Sequence, residues 1–305
     1  MSYWIAIIVS KIACVIPWQL CRLIGWLLGH LSYLFIPPKR KRMAKENIIR
    51  CLQVDESEAS RIAKASWVQF GAMLFEVLRF PVLKHSMREH VEVEGLEHLT
   101  KYRESTNGEL GAVIMTSHSD NWELMGGAFA QYGISLVGVA KKQKSTGMDK
   151  FINEYRTLIG MHITYRSGVR EMYKMLGEGW FIGLIMDQDT GRHDGTVVKF
   201  FNEPTNFATG AAAMSRFKKI PIFPAFMHRK LDGTHKLIIR EPIYTETTND
   251  KRADINKTTQ ILASMIEKHI YEYPEQWFWL HDRWKSMRVE FTPEEVEQLR
   301  QSLNK

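Results

Sequence analysis

The chain has 305 residues, of which 45% are hydrophobic and 25% are charged. This composition excludes a disordered or collagen-like chain, and the length suits one large α/β domain with a single core. The formal charge of +7 favours an anionic partner, either nucleic acid, an acidic carrier protein or a membrane surface. The three cysteines form no CxxC pair, so we expect free thiols in a reducing compartment and no zinc site.

The first forty residues are mostly apolar and favour the membrane among these partners. Residues 3–16 form one apolar run, Pro17 interrupts it, and a second run at 18–36 directly precedes the polybasic Lys39–Arg42. A spanning helix needs about 20 apolar residues. The segment reaches that length only if the few polar residues within it are tolerated.

Three arrangements of residues 1–40 are open at this stage. They are a buried helical hairpin of a soluble protein, an interfacial pair of amphipathic helices, and a single spanning anchor. The last two place the protein at a membrane, and the basic residues then keep the remaining domain, 41–305, on the cytoplasmic side near anionic lipid. Nucleic acid explains the charge less well, because the sequence contains no known binding motif.

The rest of the chain shows helical and then strand-like patterns. Residues 42–81 have apolar positions near helical spacing. The predicted strands are Ala112–Met115, Leu136–Val139, Ile163–Tyr165, Phe181–Met186 and Ile220–Phe226, with helices at 120–132, 148–159 and 168–177. Strands alternating with helices predict an α/β fold with a mostly parallel, twisted central sheet flanked by helices. Further strands are expected at Val197–Phe201 and Lys236–Arg240, and an amphipathic helix at Ile255–Tyr271.

His118 lies at the carboxyl end of the first of these strands, where open parallel sheets bind ligands. Two interpretations are open. In one, Asp120 and Glu123 form a capping box with a purely local role. In the other, His118 is a general base, since a neutral imidazole accepts a proton near pH 7, and the Glu123 carboxylate reaches back to its second nitrogen. The position between a buried strand and a helix favours the second.

The block HSDNWE at 118–123 resembles the HX4(D/E) motif of the lysophospholipid acyltransferase superfamily. More narrowly, the chain resembles the bacterial lipid A late acyltransferases, which are lauroyl and myristoyl transferases, and the related phosphatidylinositol mannoside acyltransferases. The blocks that carry the resemblance are KRMAKENIIRCL at 41–52, SHSDNWEL at 117–124, RSGVREM at 166–172, MDQD at 186–189, VKFF at 198–201 and HDRWK at 281–285.

The resemblance implies a glycerolphosphate-acyltransferase-like fold and transfer of an acyl chain from acyl carrier protein, or from coenzyme A, to a hydroxyl of a lipid A precursor. It places the enzyme at the bacterial inner membrane and implies neither cofactor nor metal. A phosphatidylinositol mannoside, another glycolipid or a lysophospholipid is the alternative acceptor. His118 would deprotonate the hydroxyl and Glu123 would orient His118. Deprotonation must accompany attack on the thioester, and the developing oxyanion needs hydrogen-bond donors.

Other substrate-binding candidates lie in the same blocks. Arg166 follows a predicted strand, and the resemblance places it near His118, where its guanidinium holds a phosphate or stabilises the oxyanion. A surface ion pair is the alternative for Arg166. Asp187 and Asp189 end another strand and either contact the substrate or only form a turn. Arg283 and Lys285 are expected to contact an acidic carrier or a substrate phosphate. The remaining candidates are Asn121 and Gln188.

Two functions of other classes use the same residues differently. A metal-dependent hydrolase would bind a divalent ion through His118, Asp120, Asp187 and Asp189. An inactive lipid-binding module would need none of these side chains for chemistry. Loss of activity with a chelator distinguishes the first, and indifference to replacement of His118 distinguishes the second.

Overall fold

The structure, a computed structural model, describes residues 1–303. Its strands form a central sheet and a separate hairpin. The strands are β1 (Val91–Glu94), β2 (Val113–Thr116), β3 (Leu136–Ala140), β4 (Met161–Tyr165), β5 (Phe181–Ile185), β6 (Gly195–Phe200), β7 (Glu203–Ala208), β8 (Ile222–Arg229) and β9 (His235–Ile239).

The central sheet has seven strands in the order β1-β9-β8-β2-β5-β3-β4. Neighbouring strands run parallel except β8 and β9, which are antiparallel. Strands β6 and β7 form the antiparallel hairpin. All four residues of β2 are buried, as a central strand with helices on both faces requires. Val113 and Met115 enter one hydrophobic core and Ile114 enters the other, on the opposite face of the sheet.

Helices surround both faces of this sheet. The fourth, eighth and thirteenth helices, at residues 56–78, 122–131 and 285–289, contact the residues of the candidate site. The helices are α1 (Ser2–Val15), α2 (Trp18–Leu34), α3 (Pro38–Leu52), α4 (Glu56–Leu78), α5 (Phe80–Leu83), α6 (Met87–His90), α7 (Leu96–Ser105), α8 (Trp122–Gln131), α9 (Thr146–Leu158), α10 (Val169–Leu176), α11 (Gly210–Lys218), α12 (Lys251–Glu272), α13 (Lys285–Val289) and α14 (Pro293–Leu303).

The predicted α/β class and the mostly parallel central sheet are confirmed. All five strands expected from buried apolar runs are present, with ends shifted by one to three residues. Two strands were missed. Strand β1 reads VEVE, with both glutamates exposed at the sheet edge, and β7 contains Pro204 and polar residues, so neither forms an apolar run.

Residues 2–34 form two helices that are interrupted at Pro17. Among the described residues, no single helix has the length and apolar composition that crossing a membrane requires, although α2 and α3 pass that test as a pair bent by 106°. Fully buried packing of this segment, one of the three expected arrangements, is wrong, because its outer side carries many large exposed apolar side chains. They are Trp4, Ile5, Ile8, Val9, Ile12, Val15, Leu20, Leu23, Trp26, Leu27, Leu28, Leu31, Leu34 and Phe35.

Glycines hold the inner side of α2 against α4. A Cβ atom added to Gly29 would lie 3.0 Å from the Cα atom of Val68, and one added to Gly71 would lie 3.0 Å from the Cα atom of Gly29. Gly25, one turn before Gly29, packs against Phe75 in the same way. Small residues at this spacing let two helix backbones approach closely. Helix α2 is therefore docked on the domain with its apolar side facing outwards.

We predict that Gly29→Leu separates α2 from α4 and lowers the free energy of unfolding by about 1–3 kcal/mol, because the new side chain overpacks the contact. Thermal unfolding and limited proteolysis at the α1–α2 junction measure the effect. Gly177→Leu is the matched control, since Gly177 is exposed and an added Cβ there makes only ordinary contacts. Equal behaviour of the two variants would contradict the close packing.

Candidate active site

The neighbouring strands β2 and β5 bring His118 and Asp187 together at their carboxyl ends. The two strands pair in parallel, so the residues that follow them lie side by side. Nδ1 of His118 lies 2.7 Å from Oδ1 of Asp187, and the backbone N–H of His118 donates to Oδ2 at 2.8 Å. The indole N–H of Trp277 donates to the same oxygen at 2.6 Å. Ring and backbone of His118 are thus fixed by one carboxylate.

The ionisation state of Asp187 determines which nitrogen of His118 is basic. Burial raises the pKa of Asp187, but the His118 ring and the hydrogen bonds from His118 and Trp277 outweigh it, so the pKa lies below its usual value. An ionised carboxylate only accepts hydrogen bonds, so Nδ1 of His118 carries the proton and donates to Asp187. Nε2 is then the nitrogen that accepts hydrogen bonds. The His118 side chain keeps 18% of its surface exposed, which leaves it accessible to a substrate.

Two further side chains contact the His118 ring. The amide nitrogen of Gln188 lies 3.2 Å from Nε2. Trp122, the first residue of α8, packs against the ring in an edge-on contact with 4.8 Å between ring centroids. The expectation that Gln188 lies in the site is consistent with this position, because the amide is next to the basic nitrogen.

Glu123 makes a different pair from the one expected. Its carboxylate accepts hydrogen bonds from Nε and Nη2 of Arg156 at 2.7 and 2.5 Å and from the Trp122 indole at 3.2 Å. The expected hydrogen bond of Glu123 to His118 is therefore wrong, since Asp187 occupies that place at Nδ1. Helix α8 begins at Trp122, and its first turn directs Glu123 towards Arg156 on α9. Asp187 instead extends from the strand beside β2.

Asn121, expected to bind substrate, is fully buried and has a structural role. Its Oδ1 accepts from the backbone N–H of Leu124 at 2.9 Å, so Asn121 is the cap of α8. Its amide nitrogen donates to Glu76 at 2.7 Å. Both expectations for this turn are thus corrected: Asn121 has no exposed surface for a substrate, and the helix is capped by Asn121 instead of by a capping box of Asp120 and Glu123.

A buried ionic cluster holds the turn after His118. Asp120 has a left-handed backbone with φ of 47°, and its carboxylate lies 2.5 Å from Nδ1 of His235 and 3.1 Å from Arg229. Both cations also pair with Glu76 on α4. Burial lowers the pKa of His235, but Asp120 and Glu76 outweigh this and raise it to about 9. His235 is therefore charged at neutral pH. The cluster joins α4, β8 and β9 to the turn that follows His118.

Asp189 joins the β5 end to α13. It accepts hydrogen bonds from the backbone N–H and the hydroxyl of Ser286 at 2.9 and 2.7 Å, while its own N–H donates to Nε2 of His281 at 3.1 Å. Asp120 and Asp189 thus face away from His118 and towards other partners. Within residues 1–303, no group of three or more His, Cys, Asp or Glu side chains is arranged to hold a metal ion.

Arg283 is fully buried, contrary to the expectation that it contacts an acidic carrier or a phosphate. Its guanidinium lies over the Phe207 ring, 4.2 Å from the centroid, and donates to the backbone oxygen of Asn206 at 2.7 Å. Burial lowers the pKa of Arg283 to about 10, which still leaves it charged at neutral pH. Arg283 therefore supports the hairpin β6–β7, whereas the nearby Lys285 is exposed.

Arg166 and His118 both follow the carboxyl ends of strands in the same sheet, but the two residues are not adjacent. Strands β5 and β3 separate β2 from β4, and three strand spacings of about 4.8 Å put the two residues roughly 14 Å apart. The side chain is exposed at the end of the edge strand β4. The expectation that Arg166 lies near His118 is therefore wrong, because two strands lie between them. A single sequence does not reveal this strand order.

A narrow apolar cavity of about 60 Å³ lies between α8 and the sheet. Trp122 and Glu123 line it, and so do Met161, Gly126 and Gly138. An added Cβ at Gly126 would come within 2.1 Å of Sδ of Met161, and one at Gly138 within 2.7 Å of its Cε atom. The glycines thus create the space that Met161 partly fills.

Comparison with known proteins identifies the family. The model of the bacterial lipid A biosynthesis acyltransferases matches residues 1–286. A phosphatidylinositol mannoside acyltransferase from Mycolicibacterium smegmatis is 25% identical over 73% of this chain and 72% of its own length. The lipid A biosynthesis lauroyltransferase of Escherichia coli is 24% identical over 93% of this chain and 91% of its own length.

A solved structure, the 1-acyl-sn-glycerophosphate acyltransferase of Thermotoga maritima, covers 84% of this chain and 99% of that protein, with 15% identity and a TM-score of 0.38. The family match extends over nearly the whole chain and includes His118 and Asp187. The family expected from the sequence blocks is thus confirmed. This chain belongs to the bacterial lipid A biosynthesis acyltransferase family, and it is an acyltransferase.

Proposed function

We propose that the protein transfers a fatty acyl chain from acyl carrier protein to a hydroxyl of a lipid A precursor, at the cytoplasmic side of the bacterial inner membrane. The observation that carries this proposal is the hydrogen bond between His118 and an ionised Asp187 at the mouth of the sheet. With Nδ1 held by Asp187, Nε2 of His118 is the proposed general base for acyl transfer to an alcohol.

In the proposed reaction, Nε2 of His118 removes the hydroxyl proton as the oxygen attacks the thioester carbonyl. Asp187 stabilises the imidazolium that forms, as the aspartate does in hydrolase triads. The tetrahedral intermediate then expels the thiolate of the donor, which takes the proton from Nε2. The histidine returns to its initial state, and no cofactor enters the balance of atoms or electrons.

Gln188 is suited to stabilise the oxyanion of this intermediate. Its amide nitrogen lies 3.2 Å from Nε2, so it reaches the region where the reacting oxygen and carbonyl carbon meet. A side-chain amide placed beforehand at such a position donates a hydrogen bond that strengthens as the negative charge develops. Arg166, on the edge strand, is too remote for this role without movement of the sheet edge.

The apolar cavity is suited to the acyl chain of the donor. Trp122 contacts His118 and also lines the cavity, so a chain that starts at the reacting carbonyl passes this side chain. The cavity is too narrow for a long chain as it stands. Met125 and Met161 both line it, and Met161 is the one that packs against Gly126 and Gly138, where an unbranched thioether side chain changes rotamer easily. Entry of the chain therefore requires displacement of Met161.

Membrane contact is supported by the exposed apolar side of α1 and α2 and by the basic Lys39–Arg42 that follows. An amphipathic pair of helices lying in the interface explains both features without a spanning helix. The lipid A acceptor is supported by the alignment with the lauroyltransferase over 93% of this chain. A phosphatidylinositol mannoside is the second candidate acceptor, supported by the relatives of that name.

We predict that His118→Ala lowers kcat by about 10³-fold, because the variant lacks the general base. Transfer is measured from acyl-carrier-protein and coenzyme A thioesters to a Kdo-bearing lipid A precursor, a mannosylated phosphoinositide and a lysophospholipid. His193→Ala, at an exposed histidine, is the matched control and retains activity. Failure of the wild-type protein to acylate any acceptor contradicts the proposed function and favours a lipid-binding module, and full activity of His118→Ala shows that His118 is not the general base.

We predict that Asp187→Asn lowers kcat by about 10³-fold, because the amide no longer fixes the tautomer of His118 or stabilises the imidazolium. Glu123→Gln is the matched comparison and lowers kcat less, by about tenfold, since it acts through Arg156 and Trp122 and its main cost is stability. Steady-state kinetics and thermal unfolding of both variants provide the test. An equal loss of kcat in Glu123→Gln, without a change in melting temperature, assigns the partner role to Glu123.

We predict that Met161→Ala shifts the preferred acyl chain to longer donors by about two carbon atoms, because truncation enlarges the apolar cavity. Competition between thioesters of increasing chain length measures the preference. Met148→Ala on α9 is the control, since Met148 is exposed and lies outside the cavity. An unchanged chain-length profile in Met161→Ala shows that the acyl chain binds elsewhere.

A further inference from the structure

A large basic pocket of about 1,020 Å³ lies between α3 and α13. Both helices supply cations to it, although they are more than 200 residues apart in the sequence. The cations that line it are Lys39, Arg40, Arg42, Arg50, Lys285 and Arg288. We call this site the basic pocket.

The carboxylates in the basic pocket neutralise only part of this charge. Glu46 lies 3.7 Å from Arg42, and Asp282 lies 2.5 Å from Arg288, while Asp189 is bonded to the start of α13. Arg50 stacks over Trp284, 4.2 Å from the ring centroid. The three other cations, Lys39, Arg40 and Lys285, are exposed and form no ion pair within the described part of the chain, 1–303. They are the groups available to an anion.

The basic pocket adjoins the turn that carries His118. Phe278 lines it, and the backbone N–H of Phe278 donates to the backbone oxygen of His118 at 3.2 Å. Asp189 and His281 also line it and are joined by a hydrogen bond of 3.1 Å. A ligand bound here is therefore held next to the two loops that carry His118 and Asp187–Gln188.

The basic pocket also adjoins the exposed apolar side of α2. Leu34 and Phe35, which are 69% and 80% exposed, end that side, and Pro37 is already part of the pocket wall. A ligand with apolar chains and an anionic head group matches this arrangement, in which an apolar surface leads into a basic one. Its chains lie along the apolar side, and its head group enters the concave basic region, as in interfacial lipid binding.

We propose that the basic pocket binds the phosphorylated head group of the acceptor lipid, with Lys39, Arg40 and Lys285 contacting phosphate oxygens. This inference rests on the proposed function, because it specifies the anionic acceptor of the same site. A carrier protein is the less suitable occupant, since protein partners dock over about 800 Å² of mostly open surface per side. The basic pocket is instead concave and of head-group size.

The test replaces the three unpaired cations together in Lys39→Ala/Arg40→Ala/Lys285→Ala. Steady-state kinetics use a diphosphorylated glucosamine-disaccharide lipid as acceptor and its phosphate-free counterpart. We expect KM for the diphosphorylated lipid to rise about tenfold or more with kcat largely retained, because each lost charge-assisted contact weakens binding. KM for the phosphate-free lipid changes much less. The variant with exchanged cations, Lys39→Arg/Arg40→Lys/Lys285→Arg, keeps KM near the wild-type value.

A matched control removes the same charge elsewhere. Lys101→Ala/Lys251→Ala/Arg252→Ala replaces three exposed cations on α7 and α12, outside the basic pocket, and leaves KM for both acceptors unchanged. Melting temperatures of all variants exclude unfolding as a cause, and flotation with vesicles of phosphatidylcholine and phosphatidylglycerol measures general membrane attraction. An equal rise of KM for both acceptors, or a loss explained fully by weaker vesicle binding, overturns the inference.

A third outcome concerns the donor. If the triple variant raises KM for acyl carrier protein but not for the acceptor, the basic pocket docks the carrier and the inference is wrong. These outcomes are distinct from failure of the proposed function, in which the wild-type protein transfers to no acceptor at all. An active wild-type enzyme with unchanged acceptor KM in the triple variant rejects the basic pocket alone.

Discussion

The hydrogen bond between His118 and Asp187 is the interaction on which the proposed chemistry of this protein depends. It exists because β2 and β5 are neighbours in the sheet, so that two residues separated by 69 positions leave parallel strands at the same edge. Parallel strands end in register at one edge of a sheet, which is where α/β proteins place their sites. His118 and Asp187 each follow a strand of the central sheet by two residues, so the sheet fixes their positions, and Gln188 and Trp122 complete the candidate site.

A buried cluster of four charged side chains holds the turn that follows His118. Glu76, Asp120, Arg229 and His235 are all nearly inaccessible to water, and removing ions from water is unfavourable unless each is paired. The cluster satisfies that condition with two anions and two cations. It also fixes the left-handed backbone of Asp120, which turns the chain from β2 into α8 directly after His118. The same ion pairs thus hold α4, β8 and β9 against the turn that positions the imidazole of His118.

Local patterns in the sequence were sufficient for the sheet and for the histidine, but not for the partners of the histidine. The apolar runs locate β2, β3, β4, β5 and β8, and His118 is visible as a polar residue at a strand end. Strand order is a long-range property, so neither the adjacency of Asp187 nor the remoteness of Arg166 follows from spacing. Glu123 was assigned to His118 because it is near in sequence, whereas the helix turn directs it to Arg156.

Burial explains the other differences. Asn121 and Arg283 are polar residues in blocks that resemble the family, and polar residues in such blocks suggest substrate contacts. Both are fully enclosed, so their polar atoms find partners only within the protein. Asn121 caps α8, and Arg283 packs against Phe207 and bonds to Asn206. A family block therefore combines residues for chemistry with residues for shape, and one sequence does not separate them.

Two surfaces of different character adjoin the turn that carries His118, and we assign one to the acyl chain and the other to the acceptor head group. An apolar cavity closed by Met161 lies under α8, and a basic concave surface lies between α3 and α13. Trp122 joins the imidazole to the first, and Phe278 joins the catalytic turn to the second. Phe70 on α4 packs against both Trp122 and Phe278, so the two surfaces are also joined through α4. In the proposed function, the surface for the acyl chain and the surface for the acceptor head group are therefore coupled through Phe70, while the sheet keeps the His118–Asp187 pair fixed.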